Sequence, residues 1–326
     1  MSCVYKGHVI DTELSINARG GTEMMRQRLV DNADPELLKQ FAIHLSRPRE
    51  LYNDVPNVFW CHDLVEDTEN KVLENGGWKQ FYHFVFVSAW QRDQYIAKYG
   101  IPYSECSVIY NAIEKSYAPR SKSQDTIKFI YHTTPHRGLE LLVPIFEALT
   151  REYKNIHLDV FSSFGVYGWE QRDEQYKVLF DQISAHPQMT YHGAVDNETV
   201  LRALDDAHIF LYPNIWKETS CISLLEAIKS QVICVHPNYG ALSETAANAT
   251  IMYDFNEDAQ LHANYCFSVA KQLIDTMMAD SSYFDKFTTS DRFNLARNNI
   301  ASFKTMWDAL LRNLSETLQD DEEEQE

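Results

Sequence analysis

Residues 208–236 read HIFLYPNIWKETSCISLLEAIKSQVICVH. The apolar runs at its two ends predict strands buried on both faces, and SLLEAIKS between them predicts a helix that carries the chain back to the sheet. Strand, crossover helix and strand make a parallel α/β unit. Two carboxylates lie inside it: Glu218 at the carboxyl end of the first strand, and Glu226 eight positions later in the first turns of the helix. Free amides at a helix N-terminus suit an anion. Ser223 and Glu226 also have the S-x-x-E spacing of a capping box, which needs no ligand. Spacing alone leaves both readings open.

The same habit runs through the chain. Strands are predicted at FAIHL (41–45), NVFWCH (57–62), HFVFVS (83–88) and CSVIYN (106–111), with a helix at 89–100. Further strands are predicted at IKFIYH (127–132), HLDVFSS (157–163), MTYHG (189–193) and TIMYD (250–254), with helices at 139–153 and 198–207. The polar stretch EKSYAPRSKSQD (114–125) reads as a linker between two α/β domains. The expected organisation is a short first domain over 1–118, a second over 119–295, a closing helix over 296–318 and an acidic, disordered tail over 319–326. Ligands are expected at the carboxyl ends of the strands.

With 326 residues the chain can build two cores, and its 44% hydrophobic content is ordinary for a folded protein. A net charge of −18 counts against sequence-independent binding to nucleic acid or anionic lipid. Six scattered cysteines without a C-x-x-C pair count against a zinc ribbon or a disulfide framework. The N-terminal residues show no apolar leader, and a cytoplasmic location is expected.

Other candidate residues cluster at strand ends. Arg137 and Gly138 occupy the turn between a strand and a helix, where a guanidinium and nearby amides suit a diphosphate. Gly20 and Gly21 precede a helix and would let a backbone approach a phosphate or sugar closely. His62, followed by Asp63, ends a strand and is placed to donate to a hydroxyl or to developing charge. Taken singly, each of these also reads as an ordinary turn or structural residue. His132 and His136 lie close together, but no third ligand has metal spacing.

In this order the segments resemble the retaining, family-4-type glycosyltransferases with the two-domain GT-B fold, over about residues 18–255. YPNIWKETSCISLLEAIKSQVICVHPNYGALSET is similar to that family's donor-site signature, with Glu218 and Glu226 as its E-x7-E pair. VFVSAWQRDQYIAKYGI and CSVIYNAIE, including Asn111, resemble the segments that close the first domain. The resemblance implies two Rossmann-like domains facing across a cleft.

It also implies roles. Glu226 would bind the ribose hydroxyls of a sugar nucleotide, and Glu218 would contact the transferred sugar. Arg137 takes the place of a lysine and would bind the diphosphate. His62 would face the donor sugar, with Gly20 and Gly21 near the phosphates and the amides of Thr219, Ser220 and Cys221 meeting the leaving group. Where the family has a second basic residue, this chain has His132, and the glycine between the donor helix and the next strand is replaced around Ser230 and Gln231.

The function so implied is retaining transfer of a sugar from a nucleotide-diphosphate donor to a hydroxyl acceptor such as a glycan or lipid-linked sugar. The nucleotide sugar is a substrate, and no cofactor or metal is expected. Nucleic acid is not an expected partner, and membrane contact would be peripheral. A noncatalytic binding protein on the same fold and glycosylation of a modified DNA base are the alternative readings.

Overall fold

The computed structural model describes residues 9–10, 20–48, 50–113, 122–123, 125–289 and 295–323. Residues 17–19 ahead of the paired glycines, most of the predicted linker and the last three residues lie outside these. The chain divides into two units, one of residues 1–114 with 296–326 and one of residues 115–295.

The first unit is a parallel sheet in the order β1-β2-β3-β4-β5: Val9–Ile10, Ala42–Leu45, Asn57–Cys61, His83–Phe86 and Cys106–Val108. Strands β2, β3 and β4 are buried at every position, the burial that their unbroken apolar runs require. Helices α1 (Gly21–Asn32) and α2 (Pro35–Leu38) follow β1, and α3 (Ala89–Tyr99) follows β4. Ser88 caps α3 by accepting from the Gln91 amide at 3.1 Å, and Gly100 ends it in the left-handed region at φ 71°. Phe59, Phe81, Phe84, Phe86 and Tyr95 pack as one aromatic core.

The second unit is a six-stranded sheet in the order β11-β10-β9-β6-β7-β8, parallel throughout. In chain order its elements are β6 (Ile127–Tyr131), α4 (Leu139–Glu152), β7 (Ile156–Val160), α5 (Lys177–Ala185), β8 (Met189–Tyr191), α6 (Asn197–Asp206) and β9 (Ile209–Leu211). Then come α7 (Ile222–Lys229), β10 (Ile233–Pro237), α8 (Leu242–Ala246), β11 (Ile251–Tyr253), α9 (Ala259–Ala279) and α10 (Tyr283–Thr288). The chain winds outward from β6 through β7 to β8, then returns to place β9 on the other side of β6. The reversal between β6 and β9 is the point at which parallel α/β sheets open a crevice for ligands.

Lys122, counted in the predicted linker, is already anchored in this unit. Its Nζ donates to the carbonyls of Leu204 (3.3 Å), Ser230 (3.4 Å) and Ala207, closing the C-terminal ends of α6 and α7.

The last helix, α11 (Ile300–Glu323), belongs to the first unit. Trp307, fully buried, meets the equally buried Trp60 of β3 edge-on at 4.9 Å, with Phe303 beside them. Asp308 accepts from the Asp34 amide at the start of α2. The helix carries on past Gln319, into residues expected to be a disordered tail, because no Gly or Pro interrupts the run to Glu323. Among the described residues, no helix is long and apolar enough to cross a membrane.

Candidate active site

Two loops leave the sheet at the β6/β9 reversal. Residues 132–138 follow β6, and residues 212–221 follow β9. Arg137 lies on the first and Glu218 on the second, 81 positions apart in sequence, and Arg137 Nη1 donates to Glu218 Oε1 at 2.6 Å. The carboxylate is almost enclosed, its side chain 4% exposed, whereas that of Arg137 is 22% exposed. Burial disfavours the guanidinium charge, but the Glu218 carboxylate together with Tyr167, Tyr212 and Cys221 more than offsets it, and Arg137 is held well above the ordinary arginine range. Tyr212, fully buried, donates its hydroxyl to the same Oε1 at 2.6 Å.

Glycines let the two loops meet. Gly138 caps α4 in the left-handed region at φ 119°, and a Cβ there would run into the carbonyl of Pro213 on the β9 loop. Gly240, at φ 61°, lies against the backbone of Glu218, and Ala241 N donates to Glu218 O at 2.8 Å.

Glu226 sits in α7 and is 6% exposed. Its Oε1 accepts from Asn197 Nδ2 at 3.0 Å, which ties it to the first residue of α6. The capping box suggested by the S-x-x-E spacing does not form. Cys221 is the N-cap of α7 without a side-chain cap bond, and Ser223 Oγ donates instead to His132 O at 3.0 Å. A carbonyl at the end of β6 offers Ser223 a tertiary partner in place of the local one. Thr219 and Ser220 are half-buried between Glu218 and this helix start, and burial pushes the enclosed Cys221 thiol far up, leaving it inert.

His132 answers Ser223 in kind, its Nε2–H donating to Ser223 O at 3.0 Å. Burial lowers its pKa to about 4, so at neutral pH the ring is uncharged and Nδ1 is a lone-pair acceptor. His132 supplies no cation here. His136, stacked on Phe164 and edge-on to Trp216, is lowered to about 4 by burial and by Arg137 and Arg172. Four buried polar atoms of this one loop, His132 Nδ1, Thr134 Oγ1, His136 Nδ1 and Arg137 Nε, have no hydrogen-bond partner among the described residues. Such a concentration on one loop marks it as built to meet a polar ligand.

The remaining predicted residues lie in the first unit. Gly20 is the N-cap of α1 and Gly21 its first residue. His62 follows β3, its amide donating to Ser46 Oγ at 3.0 Å and its ring 4.6 Å from Trp60. Desolvation lowers His62 to about 3, so it acts as a neutral imidazole or not at all. The structure therefore pairs Arg137 with Glu218 on the loops after the central strands β6 and β9, sets residues 219–221 ahead of α7 and Glu226 within it, and places Gly20, Gly21 and His62 with the other sheet. Sequence reasoning missed Tyr212, Asn197 and Gly240. Tyr212 and Gly240 both lie inside the quoted donor signature, whereas Asn197 lies outside it. Among the described residues, no group of three metal-ligating side chains is assembled.

The two parallel sheets, with this reversal in the second, give the chain the GT-B fold. Residues 113–265 match the family model described as "Glycosyl transferases group 1", a span that holds all of the second-unit residues above. No curated protein matches the sequence. A glycosyltransferase from Rickettsia africae ESF-5 is similar in structure, with a TM-score of 0.64 at 12% identity over 94% of this chain and 84% of that one. Anabaena Alr3699/HepE in complex with UDP and glucose gives 0.63 at 14% identity over 85% and 78%. TarM gives 0.61 at 15% identity over 83% of this chain, which spans only 54% of TarM.

Proposed function

We propose that this chain is a retaining, family-4-type glycosyltransferase that moves a sugar from a nucleotide-diphosphate donor to a hydroxyl acceptor without a metal. The observation that carries the reading is the Arg137–Glu218 pair at the strand reversal, with Glu226 buried one helix turn further in. Solved structures of the same fold hold UDP and glucose, or UDP-glucose, in Anabaena HepE, and that chemistry fits this charge arrangement.

Glu226, oriented by Asn197, accepts the paired hydroxyls of the ribose. Glu218 accepts a hydroxyl of the sugar to be transferred. Arg137 spends one N–H on Glu218 and keeps others for the diphosphate, whose growing charge on departure it stabilises along with the amides at the start of α7. The departing phosphate takes the acceptor's proton on the face from which the acceptor attacks, so the anomeric configuration is kept and no carboxylate need act as nucleophile. For the first unit, we propose that His62 and the Gly20–Gly21 turn serve as neutral hydrogen-bonding and backbone groups. A cytoplasmic site of action belongs to the same proposal.

The test is a thermal shift of the purified chain against UDP-, GDP-, ADP- and CMP-sugars with and without EDTA, since a ligand of the native state raises its melting temperature. The reading stands if one donor stabilises the wild type in EDTA but not Glu226→Ala. It falls if no donor does. A noncatalytic reading draws on the neutral His132, which leaves the diphosphate one cation short. Donor binding without transfer or hydrolysis would establish it.

A further inference from the structure

We infer that Tyr212 is a positioning residue that fixes which oxygen of Glu218 faces the sugar, an inference that rests on the proposed transferase reading.

The Tyr212 ring cannot move freely. It is fully buried, stacked on Phe210 at 5.1 Å and tilted against Tyr131 at 6.1 Å, and its amide donates to Val235 O at 2.9 Å. From this fixed base the phenol reaches across the turn of its own loop and donates to Glu218 Oε1 at 2.6 Å, a short bond of the charge-assisted kind. Burial and the Glu218 charge push the phenol well above its ordinary range, so it stays a donor at any working pH.

Arg137 donates to the same oxygen rather than to the other one. Two donors therefore converge on Oε1, while Oε2 accepts no hydrogen bond from any described residue. The backbone beneath is held as well, by the Ala241 amide on Glu218 O and by the close approach of Gly240. A carboxylate pinned through one oxygen and through its backbone presents the second oxygen in a single direction. Arg137 alone leaves a hinge, because a partly exposed guanidinium is drawn away once a diphosphate competes for it. Tyr212 has no such competitor and keeps Oε1 fixed while Arg137 turns to the phosphates.

The experiment compares wild type, Y212F, E218A and Y212F/E218A with the donor identified above. The expected result is that Y212F lowers kcat about 10-fold, the usual scale for a lost bond to a charged group, with the donor KM within about twofold. In the E218A background, which leaves the hydroxyl no side-chain acceptor at this position, Y212F should lower kcat no further. An unchanged kcat in Y212F, or an equal loss in both backgrounds, overturns the inference. A crystal structure of ligand-free Y212F separates this from failure of the transferase reading. If wild type turns over no donor, that reading falls, and the inference about Tyr212 is decided by the Glu218 carboxylate alone: a rotated or split pose upholds the pinning, and an unmoved one overturns it.

Discussion

Gly240 lies so close to Glu218 that a Cβ on it would stand 2.7 Å from the Glu218 nitrogen and 2.8 Å from its oxygen. The loop after β10 thus sets the height at which the carboxylate enters the site. Gly240→Ala must push that backbone aside and also hold φ at 61°, for a combined cost on the order of 1–3 kcal/mol. The expected outcome is a lower urea midpoint together with loss of turnover. A variant as active and as stable as wild type would show that the approach is unimportant.

Glu218 and Glu226 should fail differently. Glu226→Ala removes the group assigned to the ribose, and donor affinity should fall roughly 10- to 100-fold. Glu218→Gln should leave the donor bound and lower kcat about 100-fold or more, the scale for a lost electrostatic contact in the transition state. Calorimetric titration set beside initial rates separates the two, and the opposite pattern would exchange the assignments. Asn197→Ala should show a weaker form of the Glu226 defect, because it removes one hydrogen bond to the carboxylate and leaves the carboxylate in place.

Trp307 ties the C-terminal helix to β3 through Trp60. Trp307→Ala should destabilise the first unit by about 3–5 kcal/mol through the cavity it opens. Denaturation followed by tryptophan fluorescence should then show the first unit melting at a lower midpoint than it does in the wild type.

Stability should fall in mild acid. His62 is held at about 3, and His83, His132, His136, His208 and His236 at about 4, in each case chiefly through burial. An unfolded histidine titrates near 6.5. Between about 6.5 and 4 the unfolded chain therefore binds protons that the folded chain refuses, and stability is lost as the pH drops through that window. Above 6.5 these groups contribute no pH dependence. Urea midpoints at pH 7.5, 6 and 5 should fall in that order, and a level or rising series would contradict the buried, neutral assignment.

Much of the second unit is legible in the sequence, because buried parallel strands must be apolar at every position and IKFIY, IFL and ICVHP are nearly so. Glu218 and Arg137 could be singled out because each lies on the loop that follows such a strand. Their contact, across 81 positions, depends on the return of the chain from β8 to β9, which no local pattern encodes. Ser223 shows the reverse error. Its spacing to Glu226 is a good local signal, yet a carbonyl on β6 outcompetes it. Helix α9 escaped notice because the first part of its buried face is marked by His262, Cys266 and Ala270, and the large apolar residues Leu273 and Ile274 join it only further along. Tyr212 hides inside an apolar run, where its hydroxyl has no visible purpose until Glu218 folds back over it.

The first unit is sewn from both ends of the chain, whereas the second is one uninterrupted stretch between them. On the ribosome, the second unit's sheet can therefore be finished while the amino-terminal sheet still waits for the segment that covers Trp60. The usual order, in which what is made first folds first, is inverted. During that interval the apolar β3 side is open to chaperones, and a stop codon between residue 295 and the start of α11 would leave a sound second unit attached to a first one that never closes.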